Sequence, residues 1–346
     1  MKRLRIVGEC LGVALACALA GLAAEAVYRL YLNGRYEHMA SAAKGSWVVL
    51  PDDPRGYALP PSHTGTATFL VDTTKSFGYT TNAAGYRDRE WAQNRTGIPR
   101  VLVVGDSYAF GWAVAAEEAF PRQLESILTE RGRLTEVLNG SVPGYGTVEE
   151  LEVVRELVPL LSPDLVVLAY VMNDAEPIGT VPLPPKRTYQ GCLLWSWEDL
   201  KQQVNSRLLP ERWELSLCKK VNDFNYLKGF SQNSPKWRRS HAALEAMAGF
   251  CRQRATPLLL VVLPDFYFPL DGRYPWPAIH ATVDRWGAEL RIETVDLLQQ
   301  FLATHAPYGQ FRVEGDGHPN AAAHHRIAEL LAPEVERMIS ARTPAT

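Results

Sequence analysis

The hydrophobic pattern changes near Pro99, where short apolar runs begin to alternate with longer amphipathic segments. Runs rich in β-branched residues predict buried parallel strands, and apolar positions that recur every three or four residues predict helices. We expect strands at 101–105, 135–139, 164–170, 257–263 and 293–297. We expect helices at 120–131, 147–161, 240–254 and 320–339. This alternation predicts an α/β fold with a doubly wound parallel sheet and right-handed crossovers.

The segments outside this alternation set the predicted domain boundaries. Residues 27–95 are rich in Tyr, Pro, Gly and Thr, and predict irregular or short β structure in an N-terminal extension that packs on a core domain at 96–346. Residues 175–239 interrupt the core with many Pro, Trp and basic residues, which indicates an inserted cap. The aromatic residues of this insert suit either a small lid core or a platform for sugar rings and acyl chains: Tyr189, Trp195, Trp197, Trp213, Tyr226 and Trp237.

Residues 1–26 have the pattern of a signal anchor. Three basic side chains precede residues 6–24, which are apolar except for Glu9 and long enough to cross a bilayer as a helix. The positive-inside tendency then predicts a single pass through a bacterial-type inner membrane, with the rest of the chain periplasmic. Small residues at 18–20 and 24–26 leave a cleaved signal peptide open as the alternative.

Charge and composition remove several other classes. The 346 residues carry a net charge of −2, and no basic stripe is present, which argues against a nucleic-acid partner. Cys192 and Cys218 can pair in an oxidising compartment or stay reduced, and the helical context of Cys251 indicates a small buried hydrophobe. We expect surface or capping roles for His324 and His325, and neither a metal nor a cofactor. The oligomeric state stays open.

Candidate chemistry falls in the loops that follow the predicted strands. In a doubly wound sheet these loops meet at one edge, where sites form. The first loop is Gly105-Asp106-Ser107, in which Gly105 is expected to supply the φ freedom of a sharp turn and the two polar residues to cap the next segment. Further loops of this kind lie at 139–146, 171–174 and 264–266.

A nucleophilic serine needs a base, a group that orients the base, and donors for an oxyanion. For Ser107, the candidate base is His318, which lies just before the last predicted helix, and Asp316 is its nearest carboxylate. Gly144 and Asn173 occupy two of the strand-end loops and offer a backbone N–H and a side-chain amide. Four suitable residues in four loops predict a serine-based active site.

These segments resemble the four blocks of the SGNH or GDSL hydrolases, over about residues 75–340. The serine block matches Gly105-Asp106-Ser107, and the glycine, asparagine and histidine blocks match 139–144, 171–174 and 316–320. The resemblance implies a three-layer α/β/α, flavodoxin-like fold. It also implies the catalytic residues Ser107, His318 and Asp316, with an oxyanion hole formed by the N–H groups of Ser107 and Gly144 and the amide of Asn173.

The chain departs from the family pattern at two positions. The family commonly spaces its acid and base as Asp-x-x-His, whereas Asp316 stands only two residues before His318, so Glu314 is an alternative orienting acid. The family usually has Gly before the asparagine, where this chain has Met172. That change alters the packing beside the oxyanion hole and keeps the donor.

The resemblance implies a serine esterase that works through a Ser107 acyl-enzyme. With the predicted location, it leads us to expect hydrolysis of O-acyl esters, in particular O-acetyl esters, on a cell-envelope or exported carbohydrate. The expected partners are this acylated glycan, or another small ester, and the lipid bilayer around residues 6–24. Two alternatives stay open: a polysaccharide O-acetyltransferase with the same residues, and a noncatalytic glycan-binding module.

Overall fold

The structure is a computed structural model that describes residues 12–31 except 14, 46–68, 75–92, 97–175, and 234–341 except 315. The chain divides into two compact units: Met1–Lys44 with Leu183–Asn225, and Gly45–Pro182 with Tyr226–Thr346. The described part of the first unit contains helix α1, at 15–31. Among the described residues no helix combines the length and the apolar character that a membrane crossing needs. The first eleven residues of the predicted anchor, and the pair Cys192 and Cys218, lie outside the described residues.

Two antiparallel hairpins precede the main sheet of the larger unit. Strand β1 (Val48–Val49) pairs with β2 (Tyr57–Ala58), and β3 (Thr64–Thr68) pairs with β4 (Ser76–Thr80). The hydroxyl of Tyr57 donates to the carbonyl of Pro143 at 2.8 Å. The N-terminal extension is thereby attached to a loop of the core.

The main sheet has five parallel strands: β5 (Arg100–Gly105), β6 (Glu136–Asn139), β7 (Leu165–Tyr170), β8 (Leu258–Val262) and β9 (Glu293–Asp296). Their order is β6-β5-β7-β8-β9, which is the flavodoxin-like order. Every residue of β5 and β7 is buried, because helices cover both faces of the sheet. The chain changes direction across the sheet at β5, so the loops after β5 and β7 border the crevice where ligands bind in such folds.

The helices of the larger unit are α2 (Ser107–Phe110), α3 (Phe120–Glu130), α4 (Thr147–Leu161), α5 (Pro235–Gln253), α6 (Pro277–Leu290), α7 (Leu298–Leu302) and α8 (Ala321–Ser340). Right-handed crossovers place α3 on one face of the sheet and α4, α5 and α6 on the other. Helix α8 packs against α3, and α5 packs against α4. The predicted three-layer α/β fold with a parallel sheet is confirmed.

Most predicted elements are present with small shifts at their ends. Helix α5 begins five residues before the predicted 240–254, because Ser234 accepts the N–H of Lys236 and Pro235 occupies the first helical position. Helix α6 was missed, although Ile279, Val283 and Trp286 follow a helical spacing and are buried. Of the predicted cap, 176–233 lie outside the described residues.

Trp237 is the one aromatic residue of the predicted cap that lies in the described part of the chain. Its ring stacks on His241, with 5.1 Å between ring centroids, and meets Trp286 edge to face at 5.7 Å. Trp237 therefore contributes to packing between α5 and α6.

Candidate active site

Ser107 lies at the first position of α2, directly after β5. The prediction that Gly105 supplies φ freedom is wrong, since Gly105 is not among the glycines with positive φ. It supplies space instead: a Cβ there would lie 3.0 Å from the Cβ of Ala109 and 3.1 Å from the Cβ of Ala169. Asp106 caps the helix as expected, because its Oδ1 accepts the N–H of Tyr108 at 2.8 Å. A tight turn thus presents the Ser107 hydroxyl at the sheet edge.

The structure brings Ser107, His318 and Asp316 together. The Nε2 of His318 lies 2.8 Å from the Oγ of Ser107, and its Nδ1 contacts the Oδ1 of Asp316. Asp316 is fully buried and His318 is nearly so. A carboxylate can only accept from Nδ1–H, so the lone pair of the neutral imidazole is on Nε2 and faces the serine hydroxyl. This is the arrangement that removes a proton from a serine.

Asp316, rather than Glu314, contacts the imidazole of His318. The Glu314 side chain is 98% exposed and lies 4.0 Å from the Nζ of Lys75. Asp316 reaches His318 across one residue because its Oδ1 also accepts the backbone N–H of His318, at 3.0 Å. This turn, in which an aspartate accepts the N–H two residues ahead, folds the carboxylate back toward its own histidine. The short Asp-x-His spacing therefore leaves the contact intact.

Neighbouring rings hold the His318 imidazole in place. The Tyr108 ring meets it edge to face, with 5.5 Å between centroids, and the Trp112 ring lies 5.6 Å away. Two residues later, Asn320 caps α8 by accepting the N–H of Ala323 at 3.1 Å. The histidine is fixed both by packing and by the start of a long helix.

The predicted oxyanion donors lie in the loops after β6 and β7. Gly144 has φ +81°, a left-handed conformation that favours glycine, and its loop is joined to β5 because Val142 N–H donates to Gly105 O at 3.1 Å. Among the described residues, no protein acceptor pairs with the N–H of Ser107 or of Gly144. Both N–H groups are therefore available to a substrate oxygen.

Asn173 lies in a 3₁₀ turn, Met172–Ala175, and its amide contacts Asp106. One N–H of the Asn173 amide donates to Asp106 Oδ2 at 2.9 Å. A side-chain amide has two N–H donors, so the second is available for an oxyanion. The carboxylate of Asp106 thus fixes the direction in which Asn173 presents that donor.

Asp106 is a site residue that the sequence identified only as a helix cap. Its Oδ2 also lies 3.2 Å from the Oγ of Ser107, farther than the 2.8 Å to His318. The hydroxyl has one proton, which the shorter contact directs to His318. Burial raises the pKa of Asp106, and the hydrogen bond from Asn173 opposes that rise.

Arg87 is a second residue that the sequence did not identify. Its buried guanidinium donates to the carbonyl oxygens of Phe110 and Val114, at 3.1 and 2.7 Å. Helix α2 has a single turn, so its free carbonyl groups need such a partner. Arg87, which comes from the N-terminal extension, therefore stabilises the turn that carries Ser107.

Two buried carboxyl groups lie behind the asparagine. Asp174 Oδ2 accepts the N–H of Val171 at 3.1 Å and so braces the turn that contains Asn173. Burial raises the pKa of Asp174 well above its usual value, and the nearby Glu150 adds to the effect. Burial, with Asp106 close by, likewise raises the pKa of Glu150. In the described structure neither Glu150 oxygen has a hydrogen-bond partner. Burial therefore opposes the ionisation of both carboxyl groups.

The remaining histidine and cysteine predictions have mixed outcomes. Of the two roles predicted for His324, the surface position is wrong and the capping role is confirmed: His324 is fully buried, and its Nδ1 accepts the N–H of Phe120, the first residue of α3, at 3.1 Å. Burial lowers the pKa of His324 to about 3. His325 is exposed, as predicted, and Cys251 is buried, as predicted. Within the described ranges, no cluster of His, Cys, Asp or Glu is suited to a metal ion.

A serine, a histidine and an aspartate at the edge of a flavodoxin-like sheet define a class of serine hydrolases. A sequence model of the GDSL-like lipase/acylhydrolase family matches residues 103–326, more than half of the chain. The chain belongs to this family.

Individual relatives are more distant. The chain is 34% identical to an arylesterase of Vibrio mimicus over 87 residues, 25% of this chain and 42% of that protein. It therefore spans less than half the length of this curated relative. The solved structure of TesA is 21% identical with a TM-score of 0.42, covering 69% of this chain and 99% of that one. A lipase/acylhydrolase from Enterococcus faecalis is 15% identical with a TM-score of 0.44, covering 72% and 100%.

Proposed function

We propose that this protein is a serine esterase that hydrolyses O-acyl esters through an acyl-enzyme on Ser107. The observation that carries the proposal is the line of contacts from Asp316 through His318 to the Ser107 hydroxyl, with 2.8 Å between Nε2 and Oγ. Membership of the GDSL-like lipase/acylhydrolase family supports the same reaction class. The Vibrio mimicus relative, named an arylesterase, supports aryl esters as assay substrates.

The geometry supports a two-step reaction. His318 Nε2 takes the proton as Ser107 Oγ attacks the ester carbonyl, and Asp316 stabilises the imidazolium that forms. The N–H groups of Ser107 and Gly144 and the free N–H of Asn173 hold the oxyanion. His318 then protonates the leaving alcohol. In the second step His318 deprotonates a water, which attacks the acyl-enzyme, and His318 then returns the proton to Ser107 Oγ as the acid is released.

The substrate part of the proposal is an O-acetyl group on a carbohydrate. Its support is the aromatic composition of residues 175–239 and the predicted location outside the cytoplasm. Release of free acetate from an acetylated oligosaccharide is the expected outcome. Transfer of the acetyl group to a second oligosaccharide, detected by mass, would instead identify a transferase.

The location is a separate proposal, supported by the basic and then apolar pattern of residues 1–24. Two fusions of the whole chain test this location in a bacterial host. One carries alkaline phosphatase, which is active only outside the cytoplasm, and the other carries green fluorescent protein, which is fluorescent only inside it. We expect phosphatase activity and no fluorescence. The reverse pattern would contradict an extracytoplasmic catalytic domain.

The esterase proposal is tested by turnover of 4-nitrophenyl acetate with two matched serine variants. Ser107→Ala should lower kcat by at least about a thousandfold, because it removes the nucleophile. Ser126→Ala is the control, since Ser126 lies exposed on α3, and it should leave kcat unchanged. Retention of activity in folded Ser107→Ala would refute the proposal.

A further inference from the structure

A surface formed by Tyr267, Tyr308 and Arg312 lies beside the His318 loop and has no part in the reaction described above. Tyr267 is 46% exposed and Tyr308 is 48% exposed. In the described residues of the larger unit, no other Phe, Tyr or Trp is exposed to this extent. We call this surface the tyrosine platform. Two large, amphipathic rings left open on one surface are suited to stacking on a ligand ring.

The tyrosine platform borders the side of the site where the alcohol leaves. A Cβ on Gly317 would lie 2.6 Å from Cδ2 of Tyr267, so the Tyr267 ring rests against the residue that precedes His318. His318 protonates the leaving oxygen, which must therefore lie on the His318 side of the serine. The platform is thus next to the alcohol part of a bound ester.

Arg312 gives the tyrosine platform a fixed positive charge. Its guanidinium carbon lies 4.8 Å from the Tyr308 ring centroid and 5.6 Å from that of Tyr267. Arg312 also donates to the Tyr308 hydroxyl, which in turn donates to the Tyr267 carbonyl at 3.2 Å. Among the described residues, Arg312 has no carboxylate within ion-pair distance, whereas the neighbouring Glu314 pairs with Lys75. An oriented guanidinium of this kind is suited to a carboxylate supplied by a ligand.

We propose that the tyrosine platform binds a ring that carries a carboxylate in the alcohol part of the ester, and so selects acidic substrates. This rests on the proposed esterase function. The ring stacks on the tyrosines and its carboxylate pairs with Arg312. The half-buried rings of Phe268 and Phe311 lie in a solvent-open depression beside Tyr308 and give the platform an apolar border. The shared chemistry is found both in acetylated uronic acids and in carboxyphenyl esters.

The test compares each acid with its own methyl ester, as substrate pairs of O-acetyl glucuronate and of 3-carboxyphenyl acetate. The methyl ester keeps the ring and removes the charge. For each pair, the ratio of kcat/KM for the acid to kcat/KM for the methyl ester should be about five- to tenfold higher in the natural protein than in Arg312→Gln. The difference between the two proteins should become smaller as salt is added. Arg131→Gln, an exposed arginine at the far end of α3, is the control and should keep the preference.

The outcomes separate this proposal from the esterase proposal. Arg312→Gln should lower kcat/KM for each acid more than for its methyl ester, because only the acid carries the carboxylate that pairs with Arg312. A preference confined to the uronate pair, or to the aryl pair, supports the platform and identifies the source of the ring. An acid-to-ester ratio equal in the natural protein and Arg312→Gln overturns the platform, while Ser107-dependent turnover of 4-nitrophenyl acetate leaves the esterase proposal standing.

Discussion

The carboxylate of Asp106 holds the amide of Asn173, the proposed oxyanion donor, and Asp106→Asn tests whether this contact orients the donor. The helix cap requires an oxygen at the Oδ1 position, where Tyr108 N–H is accepted at 2.8 Å. The new amide nitrogen must then occupy the Oδ2 position, which now accepts Asn173 Nδ2 at 2.9 Å. Two donors would face each other there, so the Asn173 amide must turn away from its present direction.

The expected magnitude is that of one lost oxyanion donor. Such a loss costs about 2.7–4 kcal/mol of transition-state stabilisation, or about a hundred- to a thousandfold in kcat. The Michaelis constant should change little, because the donor acts on charge that develops only in the transition state. Asn173→Ala should produce a loss of similar size, since it removes the same donor.

The assay is steady-state turnover of 4-nitrophenyl acetate by Asp106→Asn, Asn173→Ala and the double variant, with unfolding curves to verify folding. The two losses should not add, so the double variant should resemble the more impaired single variant. Glu314→Gln is the control, because that carboxylate is 98% exposed. The role of Asp106 would be refuted if the kcat of Asp106→Asn stayed within about threefold of the natural protein. It would also be refuted if the loss of kcat in the double variant equalled the product of the losses in the two single variants.

Three further predictions concern stability and the site. Burial raises the pKa of Glu150, so the folded state keeps a proton that the unfolded chain releases, and the free energy of unfolding falls by up to about 1.4 kcal/mol per pH unit above the unfolded pKa of 4.5. Urea unfolding of Glu150→Gln between about pH 5 and pH 8 should show a weaker dependence of that free energy on pH. An unchanged dependence would contradict this prediction. Burial lowers the pKa of His324 from 6.5 to about 3, so only the unfolded chain gains that proton on acidification, and the free energy of unfolding should fall by about 2 kcal/mol from about pH 7 to pH 5. His324→Asn, whose oxygen can still accept the N–H of Phe120, should lose this dependence on pH. Equal pH dependence in the two proteins would count against the prediction. Gly144→Ala should cost about 1–2 kcal/mol in unfolding because φ is +81°, and should lower kcat; natural values for both would remove Gly144 from the oxyanion hole.

The sequence predicted the parallel sheet and the residues at its strand ends because both depend on short-range patterns. A run such as Val101–Val104 identifies a strand by itself, and the order of strands and helices then fixes which loops share an edge. Ser107 and His318, which are 211 residues apart, could be paired because they match the serine and histidine blocks of one family. Asp316 could not be chosen over Glu314 from spacing, since the choice depends on which side chain the turn folds inward.

The features that the sequence missed depend on packing between distant segments. The contact between Asp106 and Asn173 requires β5 and β7 to be neighbours in register, with Gly105 opposite Ala169. The same proximity explains why Gly105 is needed for space. His324 is buried because α8 packs against α3, a contact that composition does not reveal. Arg87 reaches α2 from an irregular segment whose periodicity gives no signal.

The central claim, that Ser107 is the nucleophile, is tested most directly by labelling the folded protein with a fluorophosphonate. Such a probe forms a covalent bond with an activated serine and leaves an ordinary hydroxyl unmodified. We predict one label per chain, mapped by peptide mass to Ser107, absent in Ser107→Ala and retained in Ser126→Ala. A folded protein that takes no label, or that takes it on a different residue, would contradict the account.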